Sequence, residues 1–135
     1  MKLFFNVVLL FTLVSLNSCA SKVNCNMDLE YKDGLTYLNG KLFSGDCESF
    51  YETGAMMNKQ TYLNGMDHGT WYFYFKNEKI ETIANFLNNK KHGEWKYYYD
   101  DGETIRQISH YKFGLRDSVW TKYSFTGEIE WKEKY

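Results

Sequence analysis

The chain has 135 residues, a formal net charge of −1 and a hydrophobic fraction of 44%, which suits one globular domain and argues against a disordered chain or a nucleic-acid binder. No basic run offers a footprint for a polyanion. Aromatic residues make up 19% of the chain and proline is absent; Lys far outnumbers Arg and Asn is plentiful, as in an A/T-rich genome, so composition alone does not define a binding surface.

The N-terminus reads as a signal peptide over residues 1–18. Lys2 precedes an apolar run from Leu3 to Leu16 that is too short to span a bilayer as a stable helix, and Ser18 and Cys19 follow. Leu16-Asn17-Ser18-Cys19 resembles the bacterial lipobox, in which cleavage leaves the cysteine to carry a diacylglycerol; Asn17 departs from the usual small or apolar residue. Each buried methylene contributes about 0.8 kcal/mol, so several acyl chains hold a protein where one does not. The resemblance implies a membrane-attached chain beginning at Cys19, with ordinary secretion as the alternative. Ala20, Ser21 and Lys22 include no acid, which favours an outer-membrane anchor facing the periplasm. Residues 19–30 read as lipidated cysteine and flexible tether. In that oxidising space Cys25 and Cys47 either form a disulfide or leave Cys47 as a small buried residue and Cys25 free. Nothing resembles the clustered Cys or His of a zinc site.

From residue 31 the chain repeats itself. The stretch from Tyr62 through Asn64, Gly65, His68, Gly69 and Trp71 to Phe75 recurs from Phe86 through Asn88, Asn89, His92, Gly93 and Trp95 to Tyr99, twenty-four positions on. A third copy begins at Tyr37, with Cys47 in the Trp place, and a fourth at Tyr111, with Trp120 and with Ser118 replacing the second glycine. A second turn falls seven residues after the Trp place in all four, at Gly54, Glu78, Gly102 and Gly127. These divisions give a half unit at 31–36 and repeats of about 37–61, 62–85, 86–110 and 111–135.

Each unit reads as two strands and two turns. Side chains alternate along a strand, so Trp71, Phe73 and Phe75 share one face and Tyr72 and Tyr74 the other. The turn positions Gly65, Gly69, Gly93 and Gly102 call for relaxed backbone sterics, and Asn89 stands where a glycine is missing. The expected fold is all-β, an antiparallel hairpin repeat array of about eight or nine strands. The charged last strand, 128–135, suits a terminal cap, and its open edge could join two copies of the chain.

An Asn-Gly turn, then Gly-x-Trp, paired aromatics, a turn glycine and a return strand resemble the variant MORN repeat of bacterial proteins over residues 31 to about 131. The resemblance implies a twisted β-hairpin array used as a scaffold or interaction surface. Departures lie at Cys47, Glu78, Asn89 and Ser118. Some members carry an antitoxin label, and eukaryotic MORN arrays have been linked to phospholipids and dimers; fold alone transfers none of these roles.

Three sets of candidate residues follow. His68 and His92 occupy equivalent places and would suit a metal or a pH sensor if they met, or simple turn packing if they do not. Trp71, Trp95 and Trp120 read as core, while Tyr72, Tyr74, Tyr98 and Tyr123 form a candidate binding face. Asp117-Ser118-Val119 is a three-residue match to a bacterial O-glycosylation acceptor. No nucleophile, base and orienting group can be assembled, and no phosphate-cradling glycine loop precedes a helix, so neither catalysis nor a cofactor is expected. The sequence therefore predicts a non-catalytic envelope lipoprotein that binds an unidentified protein partner, with an antitoxin or immunity-type protein as the alternative.

Overall fold

The computed structural model describes residues 22–135, so the signal peptide and Cys19 lie outside the described residues. The elements are strands: β1 (Val23–Asn24), β2 (Leu29–Lys32), β3 (Leu35–Leu38), β4 (Lys41–Leu42), β5 (Gly45–Phe50), β6 (Met56–Leu63), β7 (Met66–Asp67), β8 (Gly69–Tyr74), β9 (Ile80–Leu87), β10 (Lys90–Lys91), β11 (Gly93–Tyr98), β12 (Ile105–Lys112), β13 (Leu115–Tyr123) and β14 (Ile129–Lys134). Eleven form one sheet along the path β1-β5-β6-β8-β9-β11-β12-β13-β14, with β7 paired to β6 and β10 to β9. The chain is thus the all-β antiparallel hairpin array that its repeats predict. The strand count exceeds eight or nine largely because the long turns carry two-residue strands, β4, β7 and β10, and because β1 adds a fourth.

Those turns explain why the chain reverses where it does. Asn39-Gly40, Asn64-Gly65, Asn88-Asn89 and Phe113-Gly114 all place two successive residues at positive φ, the geometry whose twist matches that of the flanking strands. Asn89, at φ 63°, does adopt the left-handed conformation. Phe113 adopts it at a cost of about 1–2 kcal/mol, offset in part by its ring lying 5.0 Å from that of His92. Successive turns also bond to each other: Gly65 N donates to Phe43 O at 2.7 Å, Asn89 N to Asp67 O at 3.0 Å and Gly114 N to Lys91 O at 2.8 Å.

Each of the four repeat hairpins in the large sheet carries one unpaired residue at its tight-turn end. Ser49 opposes Asn58 and Phe50 opposes Met56, which leaves Met57 extra; Glu81, Arg106 and Glu130 are the counterparts in later units. Such bulges steepen the right-handed twist. The sequence period does not announce them, because a bulge is a property of how two strands align.

The N-terminal part departs from expectation. Residues 22–30 are no free tether: β1 lies parallel to β5, with Val23 opposite Cys47, and Lys22 pairs with Glu48 at 2.9 Å. Of the two readings of the cysteines, the structure has the disulfide, joining Cys25 to Cys47 with Cα atoms 5.1 Å apart. Nor does the half unit at 31–36 extend the meander. With β1 occupying the edge of β5, β2, β3 and β4 form a separate three-stranded sheet. That sheet is held to the long turns by Thr36 N donating to Gly65 O at 2.8 Å and by Asn89 Nδ2 donating to Gly34 O at 2.8 Å.

Gly65 is where these contacts crowd most. A Cβ there, at φ +76°, would lie 2.8 Å from both Leu42 Cδ2 and Thr36 O, whereas one at Gly54, at φ +86°, would meet nothing within 4 Å. Gly65→Ala should therefore lose about 2–5 kcal/mol, the left-handed cost plus overpacking, and Gly54→Ala only about 1–2 kcal/mol. Urea unfolding midpoints of the two variants check the difference.

Candidate interaction surfaces

The face that carries the tryptophans is consumed by the fold. Phe43, Tyr62, Trp71, Phe86, Trp95, Tyr111, Trp120 and Tyr135 form an unbroken ladder of tilted and edge-on rings with centroids 4.6–5.8 Å apart. Each step contributes about 0.5–1.5 kcal/mol beyond burial. Trp71, Trp95 and Trp120 are buried, and small residues make room for two of them: Ala84 lies opposite Trp71 and Ser109 opposite Trp95, both fully buried. Each indole N–H donates to the carbonyl ten residues earlier, Thr61, Asn85 and His110, at 2.8–2.9 Å.

Four residues before each tryptophan the repeat places a side chain at the ladder's margin. Lys91 Nζ lies 4.3 Å from the Trp95 ring centre and 5.0 Å from that of Tyr111. The Arg116 guanidinium lies 4.6 Å from Trp120 and 5.0 Å from Tyr135. The counterpart in the preceding unit is Asp67. Burial pushes its carboxyl above the ordinary value. Burial, followed by the charge of Asp67, pushes Tyr62 up to about 12. Sequence reading missed Asp67 as a site residue, although aligning the units on their tryptophans exposes the exchange of cation for anion.

The opposite face presents Tyr72, Tyr74, Tyr98 and Tyr123, all half-buried. Three of them belong to a recurring pair at the tight-turn end of each hairpin. Phe50 faces Met56, Tyr74 faces Ile80, Tyr98 faces Ile105 and Tyr123 faces Ile129 across the ladder. The aliphatic partners were not singled out from sequence, because the bulge shifts them off the simple two-residue alternation. The outermost members, Phe50 and Ile129, are 44% and 58% exposed.

The histidines do not form a site together. The His92 ring lies tilted against that of Phe113, and its Nδ1 accepts from Phe113 N at 3.4 Å. His68 Nδ1 is buried without a hydrogen-bond partner. His110 donates from Nδ1 to Val119 O at 2.9 Å and approaches Glu94 at 3.8 Å. Among the described residues no three His, Cys, Asp or Glu side chains come together to hold a metal. The turn positions Gly65, Gly69, Gly93 and Gly102 all have positive φ, and Ser118 keeps the left-handed conformation of the glycine it replaces.

The MORN repeat variant family matches residues 43–64, 67–88 and 91–112. The chain carries three MORN-variant repeats. They start at Phe43, Asp67 and Lys91, five or six residues beyond the divisions at Tyr37, Tyr62 and Phe86. MORN-variant repeats generally serve as modules for contacting proteins or membranes and are generally non-enzymatic. Neither a curated protein nor a solved structure matches the chain significantly.

Two outcomes follow from this geometry. Trp95→Ala should cost about 3–5 kcal/mol in urea unfolding, against about 1 kcal/mol for Tyr74→Ala on the half-exposed face. For Asp67 the raised carboxyl pKa means that the folded chain binds more protons than the unfolded one just above the ordinary carboxylate range. Stability therefore falls as pH rises through that window, and the deficit is complete above the folded pKa. Asp67→Asn should be more stable than wild type at pH 7, with the gain vanishing towards pH 3, as read from urea midpoints across that range.

Proposed function

We propose that the chain is a non-catalytic module of the cell envelope, anchored by a diacylglycerol on Cys19, that holds a protein partner on the second face of its sheet. The observation that carries the reading is the stripe of aromatic–aliphatic pairs from Phe50/Met56 to Tyr123/Ile129. The tryptophan face is spent on the internal ladder, whereas this stripe recurs in every unit at half burial or greater exposure. Large amphipathic rings on a rigid sheet make good anchors for a partner, because few rotamers are lost when they are covered.

The anchor supports the same reading. The lipobox-like Leu16-Asn17-Ser18-Cys19 ends six residues before Cys25, and a disulfide at Cys25–Cys47 suits an oxidising compartment. We place the chain at the outer membrane, facing the periplasm.

The full chain and its Cys19→Ala variant, expressed in a bacterium that processes lipoproteins, test the anchor. Wild type should fractionate with membranes, with the mass of a chain beginning at Cys19 plus diacylglycerol, and the variant should not. Two soluble, uncleaved cytosolic proteins would overturn the envelope assignment.

A further inference from the structure

We propose that a cleft between the two sheets binds an organic cation, a primary ammonium or a guanidinium, on the carboxylate of Asp67 and the rings of Tyr31 and Tyr62. This goes beyond the module reading above, and it depends on neither the lipid anchor nor the second-face stripe.

The cleft is about 350 Å³ and is lined by Tyr31, Glu30, Leu29 and Thr36 of the small sheet, by Tyr62 and Asp67 of the large one, and by the disulfide at Cys25. Its volume lies near the lower end of small-ligand sites, which run roughly 300–1,000 Å³. Asp67 brings a carboxylate to it and Tyr31 and Tyr62 bring phenol rings, while Glu30 alternates with Leu29 and Tyr31 along β2, and no basic residue lines it. That lining repels anions and offers a cation both charge and ring faces.

A second observation is internal to the repeat. In the next two units the position equivalent to Asp67 supplies the cation itself, with Lys91 over Trp95 and Tyr111 and Arg116 over Trp120 and Tyr135. The margin of the aromatic ladder is therefore a place where this fold seats a positive charge. At Asp67 the chain provides the opposite charge instead, half-buried, and among the described residues no cation or hydrogen-bond donor reaches that carboxylate. A half-buried carboxylate without a partner is a cost that an incoming cation removes. The backbone of Asp67 is already engaged, its N–H donating to Asn89 Oδ1 at 2.6 Å and its carbonyl accepting from Asn89 N at 3.0 Å. The side chain is thus held at the cleft by bonds that a ligand need not disturb.

A free amine and a lysine or arginine side chain of another protein share this chemistry, and two probes separate them. Agmatine and an acetylated, amidated Gly-Lys-Gly peptide would be titrated into the full chain in a nonionic detergent and followed by NMR, with the norleucine analogue of the peptide as the uncharged control. Saturable shifts at Asp67, Tyr31 and Tyr62 with at least one charged probe, and none with norleucine, are expected. The tighter probe identifies the source: agmatine a free amine, the peptide a partner's side chain. Asp67→Asn should weaken binding at least tenfold while the protein stays folded. Tyr31, 78% exposed, allows a second variant, and Tyr31→Ala should weaken binding several-fold without moving the urea midpoint. Absence of saturation by either charged probe, or an Asp67→Asn protein that binds like wild type, would overturn the proposal.

Discussion

The repeat depends on one arrangement, an indole lying across its neighbour strand with its N–H bonded to a carbonyl ten residues earlier. That bond appears at Trp71, Trp95 and Trp120, and it fixes ring orientation as well as position. Once the ring is fixed, the strand opposite must be small beneath it, as Ala84 and Ser109 are. The next unit's aromatic residue, Phe86, Tyr111 or Tyr135, then packs against the ring's other side. Each unit buries its tryptophan only by borrowing from the next, so the array is cooperative along its length.

The same dependence explains the two ends. At the C-terminal end β14 is exposed throughout, and Tyr135, which follows it, supplies the final rung on Trp120. At the N-terminal end no tryptophan is available: Cys47 stands in that place, and Phe43 begins the ladder against Tyr62. Burial that an indole would have supplied is replaced by a covalent link, a parallel strand and a small accessory sheet. The disulfide closes a loop with a sequence separation of 22, for which chain-entropy arguments give about 3 kcal/mol.

Much of this was legible in the sequence. The period, the two kinds of turn and the left-handed role of Asn89 follow from where Asn, Gly and Trp recur, since those residues act through local sterics. Other features required knowing which strands touch. The bulges at Met57, Glu81, Arg106 and Glu130 share a place in the repeat but no residue type common to all four, so composition does not mark them. The separation of Leu29–Leu42 into its own sheet was hidden because Tyr37-Leu38-Asn39-Gly40 copies the later turns closely. The backbone there does form the same kind of turn, and only the occupation of the β5 edge by β1 redirects it. The cleft at Asp67 was invisible for the same reason, being the consequence of where that small sheet comes to rest.

The disulfide also sets how the molecule carries mechanical load. A pull on the chain ahead of Cys25 enters the main sheet directly at Cys47, bypassing residues 26–46. The small sheet therefore sits outside the load path and can stay seated while the strands behind it are under tension. Reducing that one bond would leave the load on the two-residue pairing of β1 with β5 and, once that gave way, would pass it on to β2, β3 and β4.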